Sequence, residues 1–318
     1  MSARLRVGVI AAASSSLLPT WLSLLRERAS TFCDFLESPP PYTHLDALVL
    51  LSPAPVACYP GLRLVQSCWA GVEKMIDSVP ASTPLCRMAD PAMAAQMGET
   101  ALWAAISLQR GFLAHCRART WRKQALPSPR AEEVSVLVLG AGLMGGAAAR
   151  ALAAHGFRVH AWRSRAPQSP PAAAAAAAAA YAELFGDAQL QVALPAAHIV
   201  INLLPLTPET RGLLGAAFFS RMRRGASVVN LARGAHLDEP ALLSALDSGQ
   251  VGHALLDVFS EEPLPDAHPF WGHPGVTVLP HVAALTDPRS ASALVAANLA
   301  RLRDGEPLAM LVDRGRGY

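Results

Sequence analysis

The stretch VSVLVLGAGLMGG, residues 134–146, decides the fold. It opens with a short run that is apolar on both faces and ends in glycine, the pattern of a strand buried on both sides. Gly140, Gly142 and Gly145 then fall in G-x-G-x-x-G spacing where a helical pattern over 143–155 begins. The first glycine allows a tight turn, the second lets backbone approach a pyrophosphate, and the third lets helix and strand pack closely. A helix N-terminus there favours negative charge. Strand before and helix after are the context that turns this spacing into a dinucleotide site. Leu143 and Met144, between the last two glycines, join the three glycines in the predicted cofactor set.

Toward the C-terminus the same alternation continues. Apolar runs FRVHAW, HIVINLL, ASVVNLA, GHALLDVF and GVTVLP are separated by an alanine-rich segment and by helical patterns at 213–223 and 238–248. Such alternation predicts a parallel sheet covered on both faces. Toward the N-terminus the pattern is sparser, with strands expected at 4–10, 45–51 and 62–68 and a helix at 18–29. A long helical pattern runs from Pro91 to Arg119 and another from 287 to 303. If the last helix packs on the first unit, the chain crosses between domains twice, near 98–101 and 284–287. The expectation is an α/β protein of two Rossmann-like domains, each a doubly wound parallel sheet, separated by a cleft. Residues 1–99 with 286–318 form the expected substrate-binding domain and 100–285 the dinucleotide-binding domain. PPAAAAAAAAAYAELF, residues 170–185, reads as a propensity-driven surface helix.

Composition narrows the classes. A chain of 318 residues, 52% hydrophobic, has enough apolar side chain for two cores. The formal charge is only +3 and the basic residues are dispersed, so nucleic acid is not an expected partner. The five cysteines are odd in number and none stand at CxxC spacing with histidines placed for zinc, so no metal and no disulfide framework is expected. The start MSARLRVGVIAAASSS imitates a secretory signal, but RLRVGVI reads as an opening strand. No apolar run reaches the ~18 residues of a membrane span. These features predict a soluble, cytoplasmic protein with no membrane partner.

The second strand of the dinucleotide domain chooses the cofactor. Sites for NAD usually carry an acid about 20 positions beyond the glycines to accept from the ribose 2′-OH. Here FRVHAW ends in Arg163, Ser164 and Arg165, two guanidiniums and no carboxylate. NADP(H) is therefore preferred, with NAD(H) possible.

Three ionisable residues follow, each where a strand or its connection ends: Arg233 after VVNLA, Glu262 in DVFSEEPLP and His281 in VTVLPHVAA. Ligands of open parallel sheets bind beyond the carboxyl ends of the strands, so all three are expected to face one crevice. An arginine can bind a substrate carboxylate and polarise the neighbouring carbonyl. A histidine can give a proton to the alkoxide formed as hydride arrives, and a glutamate on its other nitrogen fixes the tautomer. Singly, each has a duller explanation as a salt bridge or a surface polar group. The combination points to reduction of a 2-oxo acid.

The segments VLGAGLMGGAAARAL, INLLPLTPETRGLL, VVNLARGAHLDEPALLSALDSGQVGHALLDVFSEEPLP and VTVLPHVAALT together resemble the D-isomer-specific 2-hydroxyacid dehydrogenase family. Within it, CRMADPAMAAQMGE, WRSR and the terminal VDRGRGY resemble the glyoxylate/hydroxypyruvate reductase A branch. The resemblance covers the chain from about residue 44 onward. It implies a catalytic set of Arg233, Glu262 and His281. It further implies that the CWAGVE loop offers the backbone amides of Ala70 and Gly71 to the substrate carboxylate, with Trp69 as a wall. Leu204, Pro205, Leu231 and Asp257 would line the nicotinamide and ribose. The implied activity is NADPH-dependent reduction of glyoxylate and hydroxypyruvate to glycolate and D-glycerate. Two alternatives stand beside it: an NAD-dependent, D-lactate-like dehydrogenase, and a non-catalytic dinucleotide sensor on the same fold. Relatives dimerise through the cofactor domain, and Trp103, Ile106 and Phe112 on the long helix give an apolar surplus suited to a homodimer.

Overall fold

The structure, a computed structural model, describes residues 4–12, 14–118, 120–121, 128–166 and 180–318. The alanine tract expected to be helical lies outside them from 170 to 179, as does Arg119. The chain divides into two units, residues 1–93 with 286–318 and residues 94–285.

The second unit is built on the strand that opens the glycine motif, β6 (Ser135–Leu139). Around it stand β7 (Arg158–Arg163), β8 (Ala182–Phe185), β9 (Ile199–Asn202), β10 (Ala226–Asn230), β11 (Val251–Leu256) and β12 (Val276–Val278). All seven are parallel, in the order β12-β11-β10-β9-β6-β7-β8. The order reverses between β6 and β9, the switch point where open α/β sheets bind ligands. Alternate residues of β6 feed opposite cores. Val136 and Val138 pack with Ala148, Ala149 and Leu152 of α4 (Leu143–His155) and with Ala101, Ala104 and Ala105 of α2 (Pro91–Gln109). Leu137 and Leu139 pack on the other face. Their partners there include Leu190 of α5 (Gly186–Ala193), Phe218 and Phe219 of α6 (Ala216–Arg221), Leu242 and Leu246 of α7 (Glu239–Asp247), and Phe270 of α8 (Pro269–Gly272). Strands buried on both sides explain why these runs carry no polar alternation.

In the first unit, β1 (Leu5–Ile10) lies within a parallel sheet, paired on both sides. The sheet is completed by β2 (Cys33–Glu37), β3 (Ala47–Leu50), β4 (Leu64–Ser67) and β5 (Leu85–Cys86) in the order β2-β1-β3-β4-β5. Helix α1 (Leu18–Ala29) packs with the final helix α9 (Pro288–Asp304), where the Arg28 guanidinium donates to Ser292 Oγ at 3.0 Å and to the Arg289 carbonyl at 3.1 Å. Buried Asn298 of α9 donates to buried Gln66 of β4 at 2.7 Å. Two doubly wound parallel sheets are thus present.

The long pattern from Pro91 is two helices, not one. Helix α2 ends at Gln109, and α3 (Phe112–Arg117) starts afresh after Gly111, whose φ of 63° breaks the helical path. β2 and β5 have no counterpart in the sequence expectation, and β8 is a strand where the end of the 170–185 stretch is expected to be helical, since AELF pairs in register with β7. The first reads CDFLE with a single buried position and two exposed, and the second has two residues.

Candidate active site

The glycine motif forms a cradle at the carboxyl end of β6. Gly140 turns the chain at φ 96°, and a Cβ on Gly145 would stand 1.6 Å from the Gly140 carbonyl oxygen, so helix and turn touch through backbone alone. Around Gly142 a Cβ would meet nothing within 4 Å. Gly142 caps α4 without a side-chain hydrogen bond, and Leu143 after it is exposed. The helix mouth therefore opens onto unfilled space with its first amides uncapped by any side chain.

Arg163 ends β7, with Ser164 and Arg165 in the exposed bend after it. Its Nε is buried and, among the described residues, has no hydrogen-bond partner. A cradle of bare helix amides and a guanidinium with an unused donor fit a dinucleotide carrying a phosphorylated ribose.

At the carboxyl ends of β9 and β10, two buried asparagines form an amide relay. The Leu204 amide donates to Asn202 Oδ1 (3.2 Å), Asn202 Nδ2 to Asn230 Oδ1 (3.0 Å), and Asn230 Nδ2 to the Arg233 carbonyl (2.9 Å). The relay fixes the Leu204–Pro205 loop and the Arg233 loop against each other. His236, fully buried, lies between the same two segments, with Nδ1 and Nε2 each 3.2 Å from a carbonyl, those of Arg233 and Pro205. Leu231 is buried beside the relay, its amide donating to the Asn202 carbonyl at 3.2 Å.

Arg233 precedes a short 3-10 turn, Gly234–His236. A Cβ at Gly234 would stand 1.9 Å from the Phe259 carbonyl carbon and 2.3 Å from the Ser260 nitrogen, so glycine lets this turn lie directly on the 259–260 backbone. The Phe259 amide in turn donates to Glu262 Oε1 at 3.0 Å, and Glu262 Oε2 lies 3.0 Å from His281 Nδ1. Backbone contact thus links the arginine loop to the glutamate loop, and a hydrogen bond links glutamate to histidine. Because a carboxylate only accepts, Nδ1 carries the hydrogen and Nε2 is left to exchange a proton.

His281 sits at φ 56°, a left-handed conformation uncommon outside glycine. Asp257, at the end of β11 and 1% exposed, holds it there: the Asp257 carbonyl accepts from the His281 amide, and its two carboxylate oxygens accept from Val282 (2.7 Å) and Ala283 (3.0 Å). Burial raises the Asp257 carboxyl above its ordinary value, opposed by those two amides and by His281. The predicted cofactor residue Asp257 therefore also orients the histidine loop. Asn202, Asn230 and His236 were not singled out from sequence. For the two asparagines the available signal was a polar residue ending an otherwise apolar strand, in IVIN and SVVN, and His236, in a short turn, offered none.

Trp69, Ala70 and Gly71 belong to the first unit, in the loop after β4. There the Trp69 amide donates to Ser67 Oγ at 3.0 Å, and its carbonyl accepts from Met88 at 2.9 Å. All three are partly exposed.

The sequence profile of the D-isomer specific 2-hydroxyacid dehydrogenase NAD binding domain matches residues 101–283. A glyoxylate/hydroxypyruvate reductase A of Serratia proteamaculans is 40% identical over 268 residues, 81% of this chain and 82% of that protein. Among solved structures, a D-isomer specific 2-hydroxyacid dehydrogenase from Xanthobacter autotrophicus, in complex with NADPH and MES, superposes with a TM-score of 0.88 at 33% identity. That match covers 99% of this chain and all of the other. An NADPH-dependent glyoxylate/hydroxypyruvate reductase from Sinorhizobium meliloti, in complex with NADP and sulfate, gives 0.86 at 30% identity over the same shares.

Proposed function

The chain belongs to the D-isomer specific 2-hydroxyacid dehydrogenase family, and from that premise we propose that it reduces glyoxylate and hydroxypyruvate to glycolate and D-glycerate. NADP(H) is the preferred cofactor, with NAD(H) possible. The observation that carries the reading is the 3.0 Å contact between His281 Nδ1 and Glu262 Oε2, in a loop system that also carries Arg233.

A reduced nicotinamide dinucleotide, when bound, supplies the hydride. The amides around Gly140, Gly142, Leu143, Met144 and Gly145 hold the pyrophosphate, and Arg163, Ser164 and Arg165 hold the 2′-phosphate. Leu204, Pro205 and Leu231 wall the nicotinamide. Asp257 takes the ribose side through its remaining lone pairs while keeping the histidine loop in place. Arg233 grips the substrate carboxylate and polarises the adjacent carbonyl. His281 gives its Nε2 proton to the carbonyl oxygen, and Glu262 stabilises the cationic ring before that transfer and keeps its tautomer. Trp69, Ala70 and Gly71 are assigned to the substrate by family resemblance. Residues 1–99 with 286–318 are assigned to substrate binding and 100–285 to the dinucleotide.

The same reading makes the protein a cytoplasmic homodimer. Its five cysteines stand as free thiols, as a reducing compartment keeps them. Trp103 of α2 and Phe112 of α3 remain more than 40% exposed, apolar surface suited to a second copy. The test is direct: glyoxylate or hydroxypyruvate mixed with NADPH, following reduced-nicotinamide absorbance and the chirality of the glycerate formed. NADPH oxidation matched by D-glycerate is expected. A protein that binds NADPH yet oxidises none across a panel of 2-oxo acids is no reductase.

A further inference from the structure

At the outer edge of the second unit's sheet, β7 and β8 bring together an arginine and a carboxylate. In the parallel register Arg163 stands opposite Phe185 and Ala161 opposite Glu183, so Glu183 lies two residues, roughly 6.6 Å, back from the carboxyl edge where ligands bind. The Arg163 guanidinium nevertheless reaches Glu183, with Nη2 3.5 Å from Oε1 and both side chains mostly covered, at 30% and 24% exposure. Pairing of this kind draws the guanidinium back from the edge. It also leaves Nε buried with no partner among the described residues, unusual for an arginine whose work is only structural.

The pair adjoins the phosphate cradle. A Cβ at Gly146, in the first turns of α4, would lie 3.4 Å from both the Tyr181 hydroxyl and Arg150 Nη1. Tyr181 in turn feels the charges of Glu183, Arg150 and Arg163, and burial and Glu183 together hold its hydroxyl above the ordinary value.

We propose that Glu183 is a cofactor-selectivity residue: by engaging Arg163 and adding a negative charge beside the ribose pocket, it opposes the 2′-phosphate and moderates the preference for NADP(H) over NAD(H). The inference rests on reading this unit as the dinucleotide site. A 2′-phosphate carries up to two negative charges and must compete with Glu183 for the same guanidinium. An unphosphorylated ribose makes no such demand. The acid that would ordinarily serve an NAD ribose is missing from the end of β7, yet its charge returns one strand over, tied to the arginine that replaced it.

Calorimetric titration of the full chain with NADPH, NADH and 2′,5′-ADP tests this. Glu183→Gln keeps the shape and removes the charge, and since a partly exposed ion pair contributes little to stability, the fold is retained. Glu183→Ser is the second variant should glutamine perturb the strand. Affinity for NADPH and 2′,5′-ADP is expected to rise about threefold to tenfold, while NADH changes by less than about twofold. In an Arg163→Ala background the Glu183 substitutions should change NADPH affinity far less. Unchanged or weakened NADPH binding in both variants, or equal shifts for NADPH and NADH, overturns the inference alone. Wild-type protein that binds neither dinucleotide overturns the dinucleotide site together with it.

Discussion

In the proposed reaction the chemistry concentrates in His281, a histidine whose backbone lies in the left-handed region and whose ring is held by one carboxylate. A general acid supplies about two to four orders of magnitude in rate. His281→Ala is therefore expected to lower kcat by at least about a hundredfold while the affinity for NADPH, measured without substrate, stays near wild type. A near-normal kcat would remove His281 from the proton transfer. Arg233→Lys should leave activity low, because an ammonium cannot offer two parallel donors to a carboxylate. Wild-type kcat and KM in that variant would rule out a two-point grip. These two residues were legible in the sequence because a charged side chain ending an apolar run needs a reason. What was not legible is how they are held. Asp257 acts through the amides of Val282 and Ala283, and Asn230 through the carbonyl of Arg233, contacts that involve backbone atoms every sequence shares.

At the level of elements, the short turn Gly234–His236 bears the most consequence for its size. Its glycine lets two loops touch backbone to backbone, and any side chain there collides with atoms that cannot rotate away. Gly234→Ala is expected to destabilise the protein by about 2 kcal/mol or more, by overpacking, and to lower kcat as Arg233 is displaced relative to Glu262. Denaturant unfolding beside steady-state kinetics checks both, and an alanine variant equal to wild type in each would show that the two loops separate without cost. The helices and central strands were readable because burial on both faces strips polar residues from a strand and a 3.6-residue period marks each covering helix. The edges were not. β2 alternates weakly, β5 is two residues long, and β8 follows a low-complexity tract, so none carries enough periodic residues to stand out. Gly111 hid the division of α2 from α3 because one glycine inside a helical pattern is usually tolerated.

For the whole molecule, acid sensitivity has an identifiable contributor in His253 of β11. Burial, aided by Arg117 and His273, lowers its pKa from 6.5 to about 4, and its Nε2 lies 2.9 Å from Thr277 Oγ1. A lowered folded-state value means the unfolded chain takes up the proton first. The stabilisation is therefore complete above pH 6.5 and is lost as pH falls toward 4. His253→Gln should flatten the fall of Tm between pH 6.5 and 4 relative to wild type. Parallel Tm curves for the two proteins would exclude this histidine as a source of acid lability.

The second unit is one uninterrupted length of chain, 94–285, whose two ends are fastened to each other: Gln96 Oε1 accepts from the Leu285 amide at 3.1 Å and the Ala283 carbonyl accepts from Thr100 at 2.6 Å. The first unit has no such continuity, for α1 meets its partner only when α9 exists. The second unit can therefore complete itself from one contiguous segment, whereas the first unit's sheet, though begun earlier, lacks its covering helix until the end of the chain emerges.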